Sequence, residues 1–115
     1  MAKYSEKYKL MYKIMHETEN PENKFISISG IRNNDLNSYG SKLIIPSEID
    51  GIPVKRIAPS AFAKNPSIVE VEIMEGTTFI DTSAFEAMNK LEKITFPKTL
   101  RVIGPDAFYN CLRLK

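Results

Sequence analysis

The chain has 115 residues, and its sixteen Lys and Arg against fourteen Asp and Glu leave a net charge of +2. This length suits one domain with a real core, and so small a charge gives no reason to expect nucleic acid as a partner. No stretch approaches the ~18 uninterrupted apolar residues that would span a membrane, and a single cysteine excludes an internal disulfide.

Residues 1–41 carry no repeat and are predicted to cap one end of the fold, because an uncapped terminal repeat exposes its core. Residues 25–29 alternate apolar and polar side chains, which predicts a strand. The apolar residues upstream alternate in the same way but also fit one face of a helix. We prefer a β-hairpin of 9–16 against 24–31, and a helical start stays open. Residues 31–40 are loop-like and lead into the repeats.

The remainder of the chain carries an internal repeat of 23 residues. Phenylalanine recurs at this spacing, each time after an alanine, with an isoleucine five residues earlier and an aliphatic residue six residues later. The aligned positions are Ile57, Ile80 and Ile103; Ala61, Ala84 and Ala107; Phe62, Phe85 and Phe108; and Ile68, Leu91 and Leu114. A period of roughly 20 to 29 residues is typical of a leucine-rich-repeat solenoid. We expect the isoleucines and phenylalanines to stack in its core, the phenylalanines nearly fully buried.

Each copy is predicted to contain two short extended segments followed by a single helical turn. The three copies are 43–68, 69–91 and 92–114. In the second and third copies the first segment alternates apolar and polar residues. In the first and third copies a proline ends it, because proline cannot donate to a strand ladder. A serine or an aspartate then precedes each Ala-Phe pair, at Ser60, Ser83 and Asp106, where its side-chain oxygen can cap a helical turn.

The first copy differs from the others by an insertion at 47–53. Within it, Asp50-Gly51 is a strong signal for a tight turn. Insertions into single repeats map to loops, often on a binding face. The alternative is a wider first coil that closes against the N-terminal cap.

Residues 45–57 and 103–114 closely resemble BspA-like leucine-rich repeats, which are of the Treponema pallidum type, and the likeness holds position by position over 43–114. The departures from the family pattern are Met74 for a proline, Asp81 for a glycine, and Asn65 and Met88 at the position where Cys111 matches the family's cysteine. The resemblance implies a solenoid of parallel strands with a non-catalytic recognition role, often on bacterial or protist surfaces.

The repeat and the resemblance together predict a mainly β fold with short helical turns. We expect a right-handed leucine-rich-repeat solenoid of about three 23-residue repeats, with residues 1–41 as the N-terminal cap and 42–115 as the repeats. The expected function is a non-catalytic protein–protein recognition module that presents a solenoid surface. The alternative is a structural or self-assembling segment of a larger surface protein, such as a spacer or a fragment of an adhesin.

Equivalent positions of stacked coils form rows about 4.8 Å apart, so each outward position becomes a row on the surface. One row contains Phe79 and Val102, and an apolar patch rimmed by cations has the composition of a protein-binding spot. The alternative is that both side chains pack against the cap or a neighbouring coil. The candidate protein-binding residues are Lys55, Arg56, Phe79, Arg101, Val102, Glu70, Glu72 and Lys93.

The sequence predicts no enzyme, no cofactor and no metal site. His16 is the only histidine, so a zinc site would need almost entirely carboxylate ligands, and a Cys–His arrangement would have to join His16 to the distant Cys111. Cys111 is expected to be a small buried residue that faces inward. Glu70 and Glu72 share one solvated strand face, which is ordinary outward patterning.

The C-terminus ends where a fourth strand would begin, and no capping sequence follows. The edge at 94–96 is therefore expected to lie bare, so that the chain is either part of a longer array or forms a homodimer through this uncapped end. The partner otherwise expected is a protein. With no signal peptide, the chain as it stands is expected to be cytoplasmic, but an excised domain would come from a secreted or cell-surface protein.

Overall fold

The structure is a computed structural model that describes residues 2–32 and 42–114, which form ten strands and no helix. The strands are β1 (Lys3–Ser5), β2 (Leu10–His16), β3 (Lys24–Gly30), β4 (Lys42–Ile45), β5 (Glu48–Ile49), β6 (Ile52–Ile57), β7 (Glu70–Ile73), β8 (Phe79–Ile80), β9 (Lys93–Thr95) and β10 (Val102–Ile103). The mainly β class is confirmed, and the expected helical turns are wrong. The loop predicted at 31–40 falls almost wholly outside the described residues.

The N-terminal strands form an antiparallel meander. β1 pairs with β2, and β2 pairs with β3 with Ile14 opposite Ile26. Alternation along β2 buries Leu10 and Tyr12 on one side. The segment upstream of the connection is therefore a strand, and the helical alternative is wrong.

The repeat segments stack as two parallel sheets. In one sheet, β4, β7 and β9 lie side by side, with Leu43 opposite Val71 and Val71 opposite Ile94. In the other, β6, β8 and β10 are aligned by their isoleucines, and β3 joins them because it pairs in parallel with β6. The hairpin is thus continuous with the repeat sheet. We call residues 42–68, 69–91 and 92–114 the first, second and third coils; the handedness of the winding and the repeat count stay predictions.

The core lies between the two sheets and the turns that join them, and its rows follow the repeat. The rings of Phe62 and Phe85 stack with centroids 5.5 Å apart, and those of Phe85 and Phe108 with centroids 5.2 Å apart. Ile57, Ile80 and Phe85 are fully buried. Two expectations are wrong in the third coil: Ile103 is 48% exposed and Phe108 is only half-buried. Both residues belong to the third coil, whose strands are the last in their sheets, so no further described strand covers them.

Hydrogen bonds between coils explain why the predicted helical turns are absent. We call residues 59–64, 82–87 and 105–110 the turn row. Ser60, Ser83 and Asp106 have φ of +57°, +58° and +58°, so none of them caps a helix. The amides of residues 60, 62 and 64 donate to carbonyls of the second coil, and those of 83, 85 and 87 donate to the third. These amides serve the stack of coils and cannot close a helix.

The insertion in the first coil forms a small hairpin of β5 and β6. Asp50 and Gly51 both have positive φ, +51° and +81°, which is the geometry of a two-residue hairpin turn. The turn predicted from Asp50-Gly51 is confirmed. Next to it, the pairing of β3 with β6 passes from Ile26–Val54 to Ser27–Arg56. Lys55 is the extra residue of this irregularity, which re-aims the side chains around it.

Candidate protein-binding surface

The structure divides the eight predicted binding residues between the two sheets. The first group, which we call the Phe79 face, is Lys55, Arg56, Phe79, Arg101 and Val102, on or next to β6, β8 and β10; the second group is Glu70, Glu72 and Lys93, on β7 and β9. The two groups therefore do not form one surface. The expected row of Arg56, Phe79 and Val102 is present, because these residues are direct neighbours in the parallel ladder.

Arg56 is held in place by a carboxylate from the next coil. Its guanidinium donates two hydrogen bonds to Asp81, from Nε at 3.1 Å and from Nη2, and lies 5.7 Å from the centroid of the Phe79 ring. Burial raises the pKa of Asp81, but the hydrogen bonds from Arg56 and from the amide of Thr82 outweigh it, so that this pKa is lowered. Asp81 occupies a position where the repeat pattern has glycine. This departure is the feature of the sequence from which the Arg56–Asp81 pair could have been predicted.

Lys55 pairs with the N-terminal hairpin instead. Its Nζ lies 3.6 Å from Oε2 of Glu17, and Oε1 of the same carboxylate accepts a hydrogen bond of 3.3 Å from Asn23. Both partners of the ion pair are exposed by about two fifths. No pattern in the sequence predicts this contact, because Glu17 belongs to a polar connection that has no position in the 23-residue pattern.

These residues surround an open cleft of about 270 Å³ between the hairpin and the second coil. Its lining residues are Glu17, Phe25, Lys55, Arg56, Thr78 and Phe79. Phe25 and Phe79 are half-buried, and next to the cleft Val102 is 50% exposed and Arg101 is exposed. The cleft is thus lined by both aromatic rings and cationic side chains. Phe25 forms one of its walls, which the repeat pattern alone did not predict.

The second group of predicted residues pairs its charges internally. Nζ of Lys42 lies 3.1 Å from Glu72 and 3.8 Å from Glu70, and Nζ of Lys93 lies 4.0 Å from Glu70. The hydrogen bond to Glu72, followed by the charges of both glutamates, raises the pKa of Lys42. Ile44 is the exposed apolar residue among them, at 44%.

The residues considered for catalysis or metal binding have structural partners. Nδ1 of His16 lies 2.8 Å from the carbonyl oxygen of Pro21. Cys111 is half-buried, donates its thiol hydrogen to the carbonyl of Phe85 at 2.9 Å, and has a pKa raised by burial, so the thiol stays protonated at neutral pH. Within 2–32 and 42–114 there is no group of three potential metal ligands, and no helix is long and apolar enough to cross a membrane.

Solved structures of bacterial leucine-rich-repeat proteins superimpose on this fold. A leucine-rich-repeat protein of T. pallidum has a TM-score of 0.76 and 28% identity over 97% of this chain, and one from Bacteroides ovatus has 0.76 and 26% over 93%. A leucine-rich cell surface protein from Faecalibacterium prausnitzii has a TM-score of 0.79 and 22% identity over the whole chain. In the same order, the chain spans 48%, 27% and 29% of these proteins.

No curated protein matches the sequence significantly. The family model for the BspA type leucine-rich repeat region (6 copies), in contrast, matches residues 27–115. The match begins within the segment that the sequence assigns to the cap, in β3, which is the strand that pairs with the first coil. A boundary at residue 41 stays a prediction. On this match, which covers most of its length, the chain belongs to the BspA-type leucine-rich-repeat family.

Proposed function

We propose that the chain is a non-catalytic protein-recognition module that binds its partner through the Phe79 face. The observation that carries this proposal is the cleft between Phe25 and Phe79, which has Lys55 at its rim and the half-exposed Val102 beside it. A protein interface typically has an apolar, aromatic-rich centre surrounded by a polar rim, which is the arrangement found here. The family is one of protein-interaction or structural repeat modules, which fits this proposal.

The Phe79 face is a better binding surface than the sheet of β4, β7 and β9. On that sheet, Lys42, Glu70, Glu72 and Lys93 already neutralise one another, so a partner would have to desolvate three ion pairs. On the Phe79 face, apolar area already lies in water. Covering such area contributes about 25 cal/mol for each Å².

The proposal is tested by selecting binders from a random peptide library with the wild-type chain as bait. The double variant Phe79→Ser/Val102→Ser should bind the selected peptides with an affinity that is lower by about ten-fold or more, because each substitution removes exposed apolar area from the centre of the face. The matched control is Ile44→Ser, which removes a similarly exposed aliphatic residue from the other sheet. Binders that respond to Ile44→Ser and not to the double variant would reject the Phe79 face.

A second candidate, a self-assembling structural segment, is favoured by the end of the third coil. Ile103, Tyr109 and Leu112 are exposed there by 48%, 57% and 80%. Among the described residues, the backbone hydrogen bonds between turns of the turn row run from an amide of one coil to a carbonyl of the next. This end therefore presents amide donors along the turn row, so two copies cannot pair turn row to turn row, and a head-to-tail contact is the compatible arrangement.

Light scattering on the purified chain at tens of micromolar separates the two candidates. Self-assembly through this end predicts a mass that grows with concentration and returns to that of the monomer in Leu112→Ser. A monomer at every concentration would leave recognition through the Phe79 face as the supported function.

A further inference from the structure

Resting on the proposed function, we infer that the cleft recognises an acidic segment of extended polypeptide. An apolar side chain of the partner enters between Phe25 and Phe79, and a neighbouring carboxylate of the partner takes the place of Glu17 on Lys55. The partner class is therefore an unstructured peptide in which Asp or Glu flanks an aromatic residue.

The size and walls of the cleft select the apolar part of this ligand. A space of about 270 Å³ accepts one large side chain rather than a whole secondary-structure element. Two phenyl rings bound it, and aromatic rings pack favourably edge to face or with offset planes. Arg56 lies against the Phe79 ring and is anchored by Asp81, so it forms a fixed wall.

The charges around the cleft select the acidic part. Three cations surround the cleft, Lys55, Arg56 and Arg101, and only two carboxylates, Glu17 and Asp81, oppose them. Arg101 makes no ion pair with any described residue. It is the residue of the third coil that is equivalent to Lys55 of the first, so it lies two strands away in the same row, at a distance of roughly 10 Å. Acidic residues on either side of an anchoring aromatic residue can reach both cations.

Lys55, rather than Arg56, is the carboxylate ligand because its present partner is easily replaced. The Lys55–Glu17 pair is a single contact of 3.6 Å between exposed side chains, and such pairs contribute little. The Arg56–Asp81 pair has two hydrogen bonds, and the carboxylate is mostly buried. Exchanging Glu17 for a partner's carboxylate keeps the charge of Lys55 neutralised, whereas exchanging Asp81 would leave a buried charge alone.

The test uses two matched probe peptides, acetyl-Asp-Phe-Asp-amide and acetyl-Asn-Phe-Asn-amide, titrated into the isotope-labelled chain and followed by backbone amide shifts. We expect saturable shifts at Lys55, Thr78 and Phe79 with the acidic peptide, and binding of the amide peptide that is weaker by about three-fold or more at low salt. Salt at about 0.5 M should reduce the difference in affinity between the acidic and the amide peptide, because exposed charges are then screened. Equal binding of the two peptides, or no saturable shift up to about 10 mM, would overturn the inference.

Two variants test the exchange at Lys55 itself. Glu17→Gln removes the internal competitor and should tighten the acidic peptide about two- to five-fold without changing the amide peptide. Lys55→Gln should reduce the difference in affinity between the two peptides, leaving the part that Arg101 contributes. The control is Lys42→Gln, which removes another glutamate-paired lysine from the other sheet and should leave the ratio of affinities unchanged. Weaker binding of the acidic peptide to Glu17→Gln would also overturn the inference.

Failure of this inference can be told apart from failure of the proposed function. If library binders depend on Phe79 and Val102 while the two probe peptides bind equally well, the recognition surface stands and its preference for acidic partners is rejected. If the binders do not depend on these residues either, the proposed function is rejected as well.

Discussion

At the scale of single residues, the repeat position does not by itself determine how well a side chain is buried. Phe62, Phe85 and Phe108 are aligned, yet only the first two are buried, because Phe108 lies in the third coil and no further described coil stacks on it. Thr77, in contrast, is a polar residue at a buried repeat position. It is fully buried in the row that holds Val54 in the first coil, and its hydroxyl has no hydrogen-bond partner.

Replacing Phe85 by alanine tests the aromatic stack at its centre. Because the ring is fully buried between two others, we expect a loss of about 3 to 5 kcal/mol in the free energy of unfolding. Phe108→Ala is the control and should cost clearly less, since that ring is half-buried. Denaturant unfolding monitored by circular dichroism gives both values, and equal losses for the two variants would contradict the stack.

Thr77→Val is expected to stabilise the chain by about 1 kcal/mol, because it removes an unsatisfied buried hydroxyl with almost no change of shape. The matched control is Thr78→Val. The hydroxyl of Thr78 donates to the carbonyl of Lys55 at 3.2 Å, so this substitution should destabilise by a similar amount. The same unfolding experiment measures both variants, and a stability loss in Thr77→Val would show that its hydroxyl does have a partner.

The Arg56–Asp81 pair should make stability depend on acid pH. The pKa of Asp81 in the folded chain lies below its ordinary value of 3.8, so the unfolded chain binds more protons in this range and stability rises with pH there. At pH values above the ordinary pKa, the free energy of unfolding of the wild type should exceed that of Asp81→Asn by about 1 kcal/mol. This difference should disappear as the pH falls through the lowered pKa of Asp81. Unfolding free energies of both chains between about pH 2 and pH 7 test this; a difference that does not depend on pH would contradict it.

At the scale of elements, the contact between β3 and the first turn of the turn row joins the hairpin to the coils. Gly30 ends β3 with φ of +139°, and a side chain there would collide with the backbone carbonyl of Ala61. A glycine is required here for two reasons, the backbone conformation and the close approach. The 23-residue pattern read from the sequence assigns no role to this glycine, although the family match includes it.

Gly30→Ala should therefore destabilise the chain by about 2 kcal/mol or more, since both strain and overlap oppose it. Gly51→Ala is the control. Its φ of +81° also disfavours alanine, but no atom lies within 4 Å of the new methyl group, so the loss should be about 1 kcal/mol. Thermal unfolding of the two variants compares them, and a smaller loss for Gly30→Ala would argue against the close contact with Ala61.

At the scale of the whole molecule, the hairpin and the coils share one sheet and should unfold together. Ile26 is fully buried on β3 and lies opposite Val54 of β6. Ile26→Ala should cost about 2 to 5 kcal/mol and should lower the protection of amides in the second coil as much as that of amides in the hairpin. Hydrogen exchange on the variant measures this; loss of protection confined to the hairpin would show that the cap folds separately.

The features that recur every 23 residues could be predicted from the sequence alone. Phenylalanines and isoleucines at a constant spacing can be buried together only if successive coils stack, so the parallel rows, the family and the aligned position of Arg56, Phe79 and Val102 could all be predicted. The turn at Asp50-Gly51 could be predicted as well, because positive φ is a local property of these residue types.

Features that depend on contacts between distant positions could be seen only in the folded chain. The turn row is not helical because its amides donate to the next coil, and no local preference of Ser60, Ser83 or Asp106 reports that competition. Glu17 and Phe25 join the candidate site because β3 pairs with β6, a contact that the 23-residue pattern does not predict. The 23-residue pattern predicts which residues align inside the coils, whereas the cleft depends on how the N-terminal hairpin packs beside them.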